Sequence, residues 1–155
     1  MPPSLQHELQ QTRPFPSLEA EAALSVARTA ALLDTEIAEA LKPHGLTPTQ
    51  YNVLRILRGA GEAGYCRYEV GDRLVTPVPD VTRLLDRLEA AGLVGRARDP
   101  EDRRQVRARI TPRGLRLLGV LDGVMRDLHR RQLGHLGEGG LRSLVDLLAV
   151  ARERG

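Results

Sequence analysis

Apolar residues recur along this chain with helical spacing in six segments. Ser17 opens the first, with Glu19 and Glu21 in a first turn that favours anions, and the run reaches about Leu41 ahead of Pro43 and Gly45. Pro48 to about Arg58 follows, with Tyr51, Val53, Leu54 and Leu57 facing inward. Gly59 to Gly64 reads as a loop, and Tyr68 to Val75 as a short helix whose inward pair is Val70 and Leu74. Val81, Leu84, Leu85 and Leu88 fall at i, i+3, i+4 and i+7, one face of a fourth helix. Asp80, Thr82, Arg83, Asp86 and Arg87 occupy its other faces, and Ala90-Ala91-Gly92 ends it on a residue that tolerates a left-handed conformation. A fifth helix is predicted from Pro112 to about Leu133. Gly134 to Gly140 separates it from a sixth, Leu141 to about Arg152.

Between the fourth and fifth helices the period changes from 3.6 to 2. Leu93 to Arg98 and Gln105 to Ile110 alternate apolar or small residues with arginine, as half-exposed strands do, and Asp99-Pro100-Glu101-Asp102 is turn chemistry. Three threonine-proline pairs, Thr47-Pro48, Thr76-Pro77 and Thr111-Pro112, each set an N-cap hydroxyl before a proline at the first helical position. Gln50 completes a capping box with Thr47. The fold class predicted is mainly α with a small β-wing: a winged helix-turn-helix core at about 47–111, flanked by helices at about 17–42 and 112–153. Residues 1–16, rich in proline and glutamine, are expected to form an irregular arm, with one domain over 17–155.

Charge sharpens the picture. From Val94 to Arg116 eight arginines stand against Asp99, Glu101 and Asp102, a net of +5 in a chain whose total is +3, so the remainder carries −2. A basic stripe on a slightly acidic body is the footprint of a surface for duplex DNA. The competing reading is a solvated hairpin in a protein whose basic residues are arginines except for Lys42. Phe15, Tyr51, Tyr65 and Tyr68 are the only aromatics, too few for a single-strand stacking platform. No apolar run is long enough to span a membrane, and the first residues have no signal-peptide pattern, so a cytoplasmic protein is expected.

The candidate chemistry is sparse. His7, His44, His129 and His135 make no metal-ligand spacing with one another or with Cys66. No nucleophile-base set or glycine-rich phosphate loop is present, so no enzyme activity, metal or cofactor is expected. Cys66, the single cysteine, reads either as a small buried hydrophobe or, with Arg67 beside it, as a thiol of lowered pKa.

The outer helices carry more apolar residues than one small core can absorb. Leu115, Leu118, Leu121, Val124, Met125 and Leu128 make a wide stripe, and Leu141, Leu144, Val145, Leu147, Leu148 and Val150 nearly encircle the last helix. Packing on a second copy explains the excess. A two-fold homodimer sets two reading helices about one DNA turn apart, ~34–36 Å. The alternative is a single monomeric bundle.

The order of helices and wing resembles the multiple antibiotic resistance regulator (MarR) family over about Leu18 to Arg152. VTRLLDRLEAAGLV resembles that family's recognition helix and exit, and DPEDRRQVRARITPRG its wing signature. The resemblance implies a dimeric transcription factor, most often a repressor of a pseudo-palindromic operator released by a small aromatic or phenolic ligand or by cysteine oxidation. Carried onto this chain, it implies that Val78, Pro79, Asp80, Thr82 and Arg83 read the major groove. It also implies that Arg104 enters the minor groove, held by Asp102. Arg83 suits phosphate or guanine, Thr82 phosphate, and Asp80 either cytosine N4 or a helix-start role. Arg96, Arg98 and Arg103 are expected at phosphates. TPVPD departs from the small, serine-rich lead-in of the family and removes two backbone donors. A ligand pocket is implied near Arg28, Leu32, Tyr51 and Arg55, although Tyr51 also suits core packing and Arg55 the surface. Two other functions fit the residues: an effector-independent DNA-binding activator or architectural factor, and a winged-helix module that binds protein.

Overall fold

The computed structural model describes residues 1–153, so the last two positions of the expected domain lie outside the described residues. Seven helices are present among them: α1 (Leu5–Glu8), α2 (Leu18–Leu41), α3 (Pro48–Ala60), α4 (Arg67–Arg73), α5 (Val81–Ala90), α6 (Pro112–Leu133) and α7 (Gly137–Arg152). Strands β1 (Tyr65–Cys66), β2 (Val94–Arg98) and β3 (Val106–Ile110) form an antiparallel sheet of order β1-β3-β2. The β2–β3 register pairs Val94 with Ile110 and Arg98 with Val106, which leaves the wing turn at 99–105. The fold is therefore mainly α with a small β-wing, as the pattern predicts.

Helix starts follow the capping chemistry with one exception. Ser17 accepts from the Ala20 N–H, Thr47 forms a capping box with Gln50, and Thr111 accepts from the Gly114 N–H at 3.1 Å. Thr76-Pro77 starts nothing. A helix begun there would put Val78 directly before Pro79, where the αR conformation is disfavoured. The helix waits until both prolines are passed, and Asp80 caps it. Three further differences have local causes. One helical turn, capped by Ser4, interrupts the arm expected to be irregular. The two-residue β1 is too short to show a period, and its pairing with Ala108 and Arg107 of β3 is non-local. Finally, α7 begins at Gly137, ahead of the expected Leu141, with Glu138 and Arg142 paired across its first turn at 2.7 Å.

The core lies in the winged helix and in the ends of the helices that touch it. Leu41, Val53, Leu54, Leu57, Val70, Leu88, Leu118 and Leu121 are fully buried, and Leu85 nearly so. Gly114 sits where α6 leaves the wing, and a Cβ there would stand 2.5 Å from the Leu93 carbonyl oxygen. That close approach explains a glycine three residues after the Thr111 cap. By contrast, α2 buries only Leu41 of its 24 residues, and α7 buries none. Val145, Leu147 and Val150 are 63%, 69% and 64% exposed.

Candidate nucleic-acid interface

Two elements of the winged helix present basic side chains to solvent that have no acidic partner among the described residues, and both are built by local chemistry. In α5, Leu85 and Leu88 are buried and Val81 and Leu84 pack against the core, so Arg83 and Arg87 are turned outward. Thr82 is half-buried on the side facing α4, 3.5 Å from the Arg67 guanidinium. Asp80 takes the helix-start role: its Oδ1 accepts from the Arg83 backbone N–H at 2.9 Å. Val78 and Pro79 precede the helix instead of belonging to it, and Val78 packs against the core. Of the five residues implied as readers, the structure turns Arg83 fully outward on the helix and leaves Thr82 at its edge.

The wing arginines divide into two groups. Arg96, implied as a phosphate contact, is instead folded back onto α5, its guanidinium bonded to Asp86 and to Glu89 at 3.1 Å. Hydrogen bonding to Arg96 holds the Glu89 carboxyl below the usual carboxylate range, and Glu89 in turn raises the Arg96 guanidinium. Arg107 bonds Asp99 at 2.6 Å and approaches Glu69 at 3.4 Å, tying the wing turn to α4. Asp99 also accepts from the Glu101 N–H at 2.8 Å, and Arg107 holds its carboxyl low. Arg98 donates to the Arg103 carbonyl at 2.8 Å within the hairpin. Arg103 and Arg104 are exposed and make no ion pair among the described residues.

Asp102 does not bond the Arg104 guanidinium. Its Oδ1 accepts from the Arg104 backbone N–H at 3.1 Å, so it shapes the turn that carries the arginine, as short acidic side chains do two residues before a bonded amide. Arg67 and Tyr68, which the sequence does not single out as DNA contacts, complete this face. The Arg67 guanidinium lies over the Tyr68 ring at 4.7 Å and donates to its hydroxyl at 2.7 Å. Tyr68 is 68% exposed. Its place off the helical face shared by Val70 and Leu74 was the signal available in the sequence. Arg67, Tyr68, Thr82 and Arg104 line one open cleft of about 390 Å³ between α4, α5 and the wing. Cys66 lines it too and is half-buried.

A second cavity, about 320 Å³, lies among α2, α3, α6 and the α4–α5 loop. Tyr51 and Arg55 line it with Asp34, Asn52 and His129. Arg28 and Leu32, implied as lining residues, do not. Asp34 and Ile37 share the cavity face of α2 at i, i+3 spacing, and the helical period carries Leu32 and Arg28 onto other faces. Among the described residues no helix is long and apolar enough to cross a membrane, and no cluster of metal-ligating side chains occurs.

The sequence profile of the MarR family matches residues 44–105, from the turn after α2 through the wing turn. The HTH-type transcriptional regulator TtmR of Methylorubrum extorquens is 39% identical over 137 residues, covering 88% of this chain and 68% of that protein. The HTH-type transcriptional repressor IacR of Pseudomonas putida is 31% identical over 110 residues, 71% of this chain and 65% of its own length. A MarR transcription factor from Planctomyces limnophilus, known by its crystal structure, is 41% identical. It superposes with a TM-score of 0.68 over 88% of this chain and 99% of that one. This chain belongs to the MarR family: it is a DNA-binding transcriptional regulator of winged-helix fold, and not an enzyme.

Proposed function

We propose that the protein is a homodimeric repressor of a two-fold symmetric operator, released when a small molecule enters the cavity beside the segment that leads into the reading helix. The observation that carries this reading is the placement of that cavity. Its volume, about 320 Å³, falls in the range of small-ligand sites, and Val75 and Thr76 of the segment leading into α5 form part of its wall. Tyr51 and Arg55 supply an aromatic face and a cation, which suits an aromatic acid or phenol. The exposed apolar faces of α2, α6 and α7 support a two-fold dimer. Repression is favoured by likeness to IacR, a repressor.

In this reading Arg83 reaches the major groove, with Thr82 beside it at the helix edge. Arg103 and Arg104 approach the backbone and minor groove, and Arg67 with Tyr68 meets a phosphate on the α4 side. Retention of genomic fragments on the purified protein, followed by sequencing, tests the assignment. A consensus with two-fold symmetry is expected, and a set of fragments without one sinks the dimeric operator. A panel of aromatic acids and phenols titrated into the operator complex then tests release. Undiminished binding with every member of the panel leaves the effector-independent regulator. Reporter transcription that rises on operator loss supports repression, and transcription that falls makes the protein an activator.

A further inference from the structure

The segment from Leu74 to Asp80 decides where α5 begins, and very little holds it. Pro77 and Pro79 have no N–H, so Val75, Thr76, Val78 and Asp80 carry its only backbone donors after Leu74. Among the described residues just one of these has a protein partner: the Val75 N–H donates to Oδ1 of Asn52 on α3, at 2.9 Å. Apolar anchors lie on either side, Leu74 buried and Val78 packed against the core. Val75, Thr76 and Pro77 between them are exposed. Asn52 is half-buried and lines the cavity together with Val75 and Thr76.

From this geometry we infer that Asn52 is a positioning residue for DNA reading: its side-chain oxygen pins the lead-in to α5 and so sets the register of Arg83 and Thr82 on the operator. The inference rests on the proposal that α5 reads the operator. Base contacts demand placement to within roughly 0.5 Å. Phosphate contacts are made by long, adaptable side chains and tolerate more. Loosening Val75 therefore degrades specific binding and leaves non-specific binding intact. The geometry also states what Asn52 must offer, which is an acceptor only, because its partner is a backbone N–H.

The test compares wild type, Asn52→Ala and Asn52→Asp, the last of which keeps an acceptor at the same place. Hydrogen exchange is read at the Val75 amide, and affinity is measured for the selected operator and a scrambled duplex at several salt concentrations. One net hydrogen bond of about 1 kcal/mol corresponds to roughly fivefold in an equilibrium. Asn52→Ala is expected to speed Val75 exchange by about that factor. It should also lower the operator-to-scrambled affinity ratio about five- to tenfold, with the salt slope unchanged. Asn52→Asp restores both the protection and the ratio. An unchanged ratio in Asn52→Ala, a loss shared equally by both duplexes, or an Asn52→Asp variant that behaves like Asn52→Ala while retaining wild-type circular dichroism overturns the inference. Wild-type protein with no preference for any duplex removes the reading role of α5 itself, and this inference with it.

Discussion

Arg96 of β2 reaches back to Glu89 of α5, Nη2 to Oε1 at 3.1 Å, and binds Asp86 of the same helix as well. A wing arginine is thus consumed in fixing the angle between the wing and α5. The Arg96 side chain is only 21% exposed, whereas its acidic partners Asp86 and Glu89 are 55% and 42% exposed. Pairs of that kind contribute at most about 1 kcal/mol. Arg96→Ala should therefore cost about that much stability at neutral pH, measured by urea denaturation. It should reduce specific DNA binding without changing the salt slope. A slope that falls by about one per half-site would show Arg96 at a phosphate after all.

Arg104→Ala should act differently. Its side chain is free in solvent at the wing tip, so its loss weakens operator and scrambled duplex alike. Asp102→Ala removes the turn bond to the Arg104 N–H and should reproduce part of that loss. Asp99→Ala should do more, because Asp99 holds both the turn amides and Arg107. Titration of the three variants against both duplexes checks the ranking, and wild-type affinity for all of them would remove the wing from the interface.

Arg83→Ala separates base from phosphate contact. Reading of a base predicts a loss of about 1–3 kcal/mol per half-site and relaxed preference at one symmetric pair of positions. A phosphate contact predicts a sequence-uniform loss and a salt slope smaller by about one per contact.

The dimer is tested where apolar side chains are bare. Leu147 and Val150, three apart on α7, are exposed in the protomer, so Leu147→Glu with Val150→Glu should leave its fold intact. Two carboxylates buried without partners would prevent association. Sedimentation should show monomers at micromolar concentration, with operator binding greatly weakened. A wild type already monomeric there refutes the arrangement.

Acid sensitivity should be modest and confined to low pH. Arg58 grips Asp122 at 2.9 and 3.0 Å, joining α3 to α6, and holds that carboxyl below its ordinary value. A depressed carboxyl contributes stability above its unfolded pKa and loses it as pH falls through the lower, folded value. The pair is more than a third exposed, so Asp122→Asn should cost at most about 1 kcal/mol at neutral pH. The difference should vanish in strong acid, in denaturation curves followed against pH. A difference that grows on acidification would contradict the sign.

Local periodicity and capping made most of this fold legible in the sequence. The inward faces of α3 and α5, the Thr47 and Thr111 caps and the two wing strands all follow from residues a few positions apart, because a 3.6 or 2.0 period and an N-cap hydroxyl act over one or two turns. The basic stripe was equally visible, since charge is counted without knowing contacts. Only the tertiary structure decided how each arginine is used. Arg96 and Arg107 find acids on α5, on α4 and in the wing turn, at sequence separations of 7 to 38 residues, while Arg103 and Arg104 find none among the described residues. The same non-local packing decided which face of α2 lines the cavity, leaving Arg28 and Leu32 off it, paired Tyr65 with Ala108, and set Asn52 against Val75. Sequence determines what a side chain can donate, accept or bury. Which partner it meets depends on where the chain brings distant helices together.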